Sequence, residues 1–331
     1  MMKKFKNIWK DILPYVSLFL IIFLISNCGK PIEKIAQFKI VGQCPNPGYA
    51  QSIWVDTINN KHYAFLASGQ AGLVIYNIDN PESTYIVSQW LDSINSCWDV
   101  TTLRGYAYLA YGKRELIVLN ARIIDSLQYV DEYNWPFPGN SRSIFIQDTS
   151  YIFVGALDRL LVSAVATPAY PDEYNPPSNV RGIFIVDSFA YIASEQLGIY
   201  IMNVLTTPRR IVNLCNTPSN ARGVFADKHY CYVADGRNGL VIIDVSNPYQ
   251  PSIVSQLSLS GYANKPFVKD TLAYVACGEA GLAIVNIKDI TNPILVEYVK
   301  TSYAKSVYVT KDNYIYLADR DLGLVVIKQE D

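Results

Sequence analysis

Histidine is nearly missing: His62 and His229 are the only two in 331 residues. A metal centre built from several imidazoles is thereby excluded, and calcium held by carboxylate and amide oxygens is the metal chemistry left open. Cysteine is sparse as well. The six, Cys28, Cys44, Cys97, Cys215, Cys231 and Cys277, form no CxxC pair and no metal-ligand spacing, so no metal or cofactor is expected. Charge of one sign is not in excess, with 28 Lys and Arg against 29 Asp and Glu. Without a basic stripe or charged tail, nucleic acid is a poor partner. No GxSxG, HExxH or GxGxxG stands in a usable context, and no segment after the first 28 residues has a helical period.

The chain instead contains near copies of itself. A short apolar run recurs as LVIYN from 73, LIVLN from 116, LLVSA from 160, IYIMN from 199, LVIID from 240, LAIVN from 282 and LVVIK from 324, at spacings of 43, 44, 39, 41, 42 and 42 residues. That period is the length of a four-stranded propeller blade. In the clearest unit, 221–261, ARGVFAD reads as an inner strand a. YCYVAD, LVIID and SIVSQLS follow as b, c and d, joined by turns rich in Gly, Asn and Pro. Strand a begins near Ala50, Cys97, Ser141, Val180, Ala221, Ala263 and Ala304, so Cys97, like Cys231 in its own column of Ala, reads as a small buried filler.

Six d strands follow seven c strands, because the chain stops three residues after LVVIK. IAQFKIVG at 35–42 supplies the missing one if it pairs beside 324–328, which also removes two open edges. The expected fold is all-β: a seven-bladed β-propeller of four-stranded blades over 35–331, closed by an N-terminal strand. The phrases YVADGRNGLVIIDVSNPYQP, YVACGEAGLAIVNIKDITNP and YLADRDLGLVVI resemble LVIVD-repeat proteins, a family of secreted or surface propellers in bacteria and archaea. The likeness covers roughly 36–328 and fades in the third blade, where ALDRLLVSAVATP lacks the Gly and the terminal acid or amide. The resemblance implies a fold and an extracytoplasmic location, and brings no catalytic residue.

Residues 1–27 read as a signal peptide, with Lys3, Lys4, Lys6 and Lys10 before a mostly apolar stretch from Ile12 to Ile25. Cys28 directly behind it resembles the lipidated cysteine of bacterial lipoproteins, although Asn27 stands where Gly, Ala or Ser is usual. A linker, 28–34, then leads to the propeller. An uncleaved anchor or ordinary cleavage would equally export residues 30–331. Removal of 1–27 takes away four Lys and one Asp and leaves 24 basic against 28 acidic residues. The expected product is a monomer held to the periplasmic or cell-surface side of a membrane by lipid.

In a propeller the b-to-c and d-to-a loops share one face with the channel mouth. The residue after each small starter of strand a gives Gln51, Trp98, Arg142, Arg181, Arg222, Asn264 and Lys305, a ring that could meet an anion. The b-to-c loops add Ser68, Glu195, Asp235, Glu279, Asp319 and Asp321, so structural pairing, Arg222 with Asp235 or Lys305 with Asp319, competes with ligand binding. Arg142 and Arg181 have less obvious partners. The phrase DEYN, at 131 and 172, brings Tyr133, Trp135, Phe137, Tyr170 and Tyr174 to two connectors, where they either stack on a ligand or cap blade interfaces. Candidate ligand residues are thus Trp98, Arg142, Arg181, Arg222, Lys305, Trp135 and Tyr174. Neighbouring acids such as Asp131 with Glu132 point to opposite sides of an extended chain, poor geometry for cleaving a sugar bond. Both histidines are expected in a-to-b turns on the far face. Three functions fit: a non-catalytic module binding a cell-envelope protein or glycan, a propeller enzyme of lactonase or glycan-lyase type, or an envelope spacer.

Overall fold

Each repeat folds as four antiparallel strands, with the apolar run as the third. The computed structural model describes residues 37–330 apart from 93–94, 115, 131–138, 148–150, 166, 177 and 207–208. The signal segment, Cys28, the linker, Tyr133, Trp135 and Phe137 therefore lie outside the described residues. Strand β1 (Phe38–Cys44) comes first. Blade one is β2 (Ser52–Ile58), β3 (Lys61–Ala67), β4 (Leu73–Asn77) and β5 (Tyr85–Trp90). Blade two is β6 (Asp99–Leu103), β7 (Tyr106–Ala110), β8 (Leu116–Asn120) and β9 (Gln128–Tyr129). Blade three is β10 (Ser141–Gln147), β11 (Tyr151–Ala156), β12 (Leu160–Ala164) and β13 (Thr167–Tyr174). Blade four is β14 (Gly182–Val186), β15 (Phe189–Ala193), β16 (Ile199–Asn203) and β17 (Arg210–Cys215). Blade five is β18 (Gly223–Ala226), β19 (Tyr230–Ala234), β20 (Leu240–Asp244) and β21 (Ser252–Leu257). Blade six is β22 (Lys265–Lys269), β23 (Leu272–Ala276), β24 (Leu282–Asn286) and β25 (Ile294–Val299). Blade seven is β26 (Ala304–Val309), β27 (Ile315–Asp319) and β28 (Gly323–Gln329).

The seventh sheet runs β1-β28-β27-β26. The N-terminal strand thus supplies the outer strand that the C-terminus lacks, with Phe38 opposite Gln329 and Cys44 opposite Leu324. Its described extent starts and ends slightly later than the expected 35–42. Every inner strand contacts the inner strands of both neighbours, β26 against β2 included, so the ring closes.

Stacking explains why the apolar runs do not alternate with polar residues. A middle strand is covered on both faces, by the blade before and the blade after. Phe65, Ala67, Leu73 and Ile75 pack toward blade two, whereas Ala64, Leu66, Val74 and Tyr76 pack toward blade seven. The run ends in Asn or Asp because that side chain caps the turn into strand d. The backbone N–H groups of Asp79, Arg122, Leu205, Ser246 and Lys288 donate to Asn77, Asn120, Asn203, Asp244 and Asn286. Ala164 in blade three has no such oxygen.

Two local expectations are corrected. The second DEYN is not a connector: Asp172 and Glu173 pair with Val162 and Leu161 of β12, and Tyr174 pairs with Leu160. His62 lies in β3, beyond the turn at Asn59 and Asn60, and its ring is 3.3 Å from Asp79.

Candidate functional site

Where strand a begins, consecutive blades are stitched together. Gly69 bridges Cys97, Gly112 bridges Ser141, Glu195 bridges Ala221, Gly236 bridges Ala263 and Gly278 bridges Ala304. The starter of strand a sits inside this seam, fully buried in all seven blades or nearly so, which is why it is small. The next residue faces the channel. In blades three and seven the pairing register skips it, passing from Ser141 to Ser143 and from Ala304 to Ser306. Such bulges re-aim a side chain, and here they aim Arg142 and Lys305.

Below lies a cavity of about 160 Å³. Trp98, Arg142, Arg181, Arg222 and Lys305 all line it, so the structure brings together the five ring residues named from the sequence. Tyr174 is not in that lining. It is half-buried against the core between blades three and four, as strand pairing requires.

The expected ion pairs are not formed. Asp235 and Asp319 are fully buried and turn away from the ring. Asp235 accepts from Thr217 Oγ1 at 2.6 Å and from the Ser219 N–H at 2.8 Å. Asp319 accepts from the N–H groups of Tyr303, Asp321 and Leu322. The last residue of strand b points into the loop that precedes strand a, so it organises that loop and leaves the ring uncompensated.

Glu195 provides the compensation that exists. It occupies the turn position held by Gly69, Gly112, Gly236 and Gly278, and keeps their positive φ, 42° against 55–58°. A side chain is uncommon there, and this one is used three times. Its carboxylate accepts from Arg181, accepts from Asn179 Nδ2 at 2.7 Å and lies 3.8 Å from Arg222 Nη1. Burial opposes ionisation of Glu195, yet Asn179, Arg181 and Arg222 together hold its pKa below the ordinary value. Arg181, expected to lack a clear partner, is therefore paired.

Arg142 is different. Its guanidinium stacks on Trp98, 3.5 Å from the ring centroid, and its Nε is buried without a hydrogen-bond partner among the described residues. Burial, then Arg181 and Arg222, push its pKa down to about 10. Lys305 stands 5.0 Å from the Tyr303 ring. Burial, then Arg222, Arg320 and Arg181, push it down to about 8, against a weak opposing pull from Asp321.

Sequence reasoning missed a second row. One residue deeper stand Ser52, Asp99, Ser143, Gly182, Gly223, Lys265 and Ser306. Lys265 of blade six reaches Asp99 of blade two at 3.2 Å and Ser52 Oγ of blade one at 3.0 Å. Two residues deeper again runs an aromatic belt of Phe145, Phe184, Phe225, Phe267, Tyr308 and Trp54, with neighbouring ring centroids 4.6–5.4 Å apart. Thr101 fills the seventh place. The belt was readable as SIF, GIF, GVF, KPF, SVY and SIW at one position of strand a. Lys265 had no such signal, since Asn264 and not Lys265 holds the ring position.

Five cations thus line the cavity, Arg142, Arg181, Arg222, Lys265 and Lys305, against Asp99 in the lining and Glu195 beside it. Among the described residues the surplus is three positive charges. It should cost stability. Between about pH 8 and the ordinary 10.5 the unfolded chain holds a proton at Lys305 that the folded chain has released, so this residue makes stability rise with pH across that window. Lys305→Met should accordingly stabilise the protein at pH 7 by about 1–2 kcal/mol, allowing for solvent screening. Above about pH 11, where Lys305 is neutral in both the folded and the unfolded wild type, the gain should vanish. Denaturant melts of both proteins at the two pH values check this, and an equal gain at both would contradict it.

The LVIVD repeat profile matches residues 47–91, 218–258, 260–301 and 302–327. No curated protein matches the chain. Among solved structures it is similar to the computationally designed Ika8 protein, with TM-score 0.64 and 7% identity over 87% of this chain and 99% of that one. It is also similar to a chain in the Mitotic Checkpoint Complex, with TM-score 0.72 and 9% identity over 92% and 95%. Identities this low speak for the fold alone.

Proposed function

Taking the chain as a seven-bladed β-propeller that carries LVIVD repeats, we propose that it is a monomeric, non-catalytic recognition module of the cell envelope. It is exported by residues 1–27, anchored through lipid on Cys28, and binds an envelope protein or glycan with the face that holds the channel mouth. The observation carrying this reading is the cationic surplus at that mouth. Five cations from five blades converge where two carboxylates compensate them, and two of the five, Arg142 and Lys305, have strongly depressed pKa values. A fold tolerates such repulsion where a partner relieves it. Of the acids on the same face, Asp235 and Asp319 are buried and engaged by their own loops and Glu195 is held by Asn179 and Arg181, which favours binding over catalysis.

Two measurements test it. Radiolabelled palmitate should enter the full-length protein in a bacterial host, and Cys28→Ala should abolish the label; label retained in the variant contradicts the anchor. The soluble fragment 30–331 should capture a partner from a cell-envelope extract or bind on a glycan array, and turnover of lactones or acidic glycans by the same fragment would favour the enzyme reading.

A further inference from the structure

One half of the channel is obstructed below its mouth and the other is clear. Lys265 crosses to Asp99 and Ser52, filling its row on the side of blades six, one and two. On the opposite arc that row holds the small Ser143 and then Gly182 and Gly223, which have no side chains. The two glycines stand between Arg181 and Arg222 at the mouth and Phe184 and Phe225 below. Gly223 is also required by strand packing, since a Cβ there would lie 2.5 Å from the Asn264 carbonyl, and one on Gly182 would lie 3.0 Å from the Gly223 Cα. The result is a slot with cations above and aromatic rings below. Phe145, Phe184 and Phe225 form its floor, with centroids 5.1 and 4.6 Å apart.

Arg142 stands at the top of the slot with its buried Nε unpartnered. A buried donor without an acceptor is costly, and an oxyanion supplies the acceptor in its strongest form. The cavity volume of about 160 Å³ is close to the ~150 Å³ that holds a benzene molecule, which sets the size of what can enter. We propose that the channel binds a small organic anion one flat ring in size. Its carboxylate or phosphate head is met by Arg142, Arg222 and Lys305, and its ring lies against Phe145, Phe184 and Phe225. This rests on the reading of the mouth face as a binding surface and assigns the chemistry of what is bound there.

Lys305 gives the site a pH signature. The charged groups facing it are Arg222, Arg320, Arg181 and Asp321, with the Tyr303 ring alongside. Only its protonated form attracts the head, so affinity falls as pH rises through about 8.

The test is calorimetric titration of the full-length chain in nonionic detergent with benzoate, phenylphosphate and neutral benzamide. Saturable binding of at least one oxyanion, with none by benzamide, is expected, and the oxyanion that binds identifies the head. Arg142→Gln and Lys305→Met should each weaken it at least tenfold, and Phe184→Leu several-fold, with melting temperature monitored to show that each variant folds. Lys305→Met should also abolish the loss of affinity between pH 7 and pH 9. Equal binding of benzamide, no binding of either oxyanion at millimolar concentration, or an unchanged Lys305→Met variant would overturn the proposal. If neither oxyanion binds while envelope capture still depends on the ring, the inference fails alone. If an oxyanion binds while envelope capture ignores the ring, the recognition reading fails alone.

Discussion

A fragment that begins at Gln51 should not persist as a folded monomer, whereas one that begins at Lys30 should. Losing residues 37–50 strips β1 from the edge of β28, where Leu324, Val325, Val326 and Ile327 are completely buried. Six paired positions disappear with it, about 3–9 kcal/mol of ladder hydrogen bonding at the usual net value per bond. Two further losses add to this. Tyr76, also fully buried, donates its hydroxyl to Asn46 at 3.1 Å, and Ser68 donates to the same oxygen at 3.1 Å. The orphaned Tyr76 hydroxyl costs about 1–3 kcal/mol, while Ser68 keeps the Leu66 carbonyl as acceptor at 3.2 Å. The total rivals the ~5–15 kcal/mol that holds a typical domain folded, and the bared strand offers a template for aggregation. Size-exclusion chromatography with light scattering distinguishes the outcomes. A monodisperse Gln51 fragment melting within a few degrees of the longer one would contradict closure by β1.

Gly239→Ala should be the most damaging single methyl group in the best-formed blade. Gly239 has φ +90°, and a Cβ there would lie 2.4 Å from the Leu257 carbonyl and 2.5 Å from the Leu259 nitrogen. Backbone conformation and backbone clash act together, and we expect a loss of about 3–5 kcal/mol, roughly 5–15 °C in melting temperature for a chain of this size. The other glycine of the motif behaves differently. Gly112 has φ +55°, but its Cβ would meet nothing closer than 3.5 Å, the Ser96 carbonyl. Asn tolerates left-handed backbone, and Glu195 already occupies the equivalent turn at positive φ. Gly112→Asn should therefore cost less than about 1 kcal/mol. Equal melting temperatures for the two variants would contradict this account of the turn.

The blades were legible because their signals are local and repeated: an apolar run, a turn and a capping Asn or Asp such as Asp244 or Asn286. Closure was legible because seven c strands have only six d strands after them. The cationic ring was legible as one position in seven copies. What escaped depends on where a side chain points or on contacts far apart in sequence. Asp235 lies near Arg222 along the repeat, but the strand turns its carboxylate to Thr217. Lys265 meets Asp99 across 166 residues, and no local pattern announces that contact. Glu195 was seen as an acid of the loop, and its departure from the glycine column was the unused clue. Tyr174 was misplaced because DEYN was read as a connector, although its Asp172 and Glu173 continue the ladder of β12.

The central claim is that the unneutralised mouth is the recognition surface. It is tested most directly by the affinity of the soluble fragment 30–331 for cell-envelope extract, measured by biolayer interferometry as salt is raised. Wild type is compared with Arg142→Ala plus Arg222→Ala at the mouth and with Lys61→Ala plus Lys228→Ala, exposed beside the a-to-b turn of blade one and in that of blade five on the far face. The mouth variant should lose at least tenfold in affinity together with most of the salt dependence, since the attraction is electrostatic and screened by salt, while the far-face variant should match wild type. Unchanged binding by the mouth variant, with binding lost in the far-face variant, would place recognition on the other side of the propeller and contradict the account.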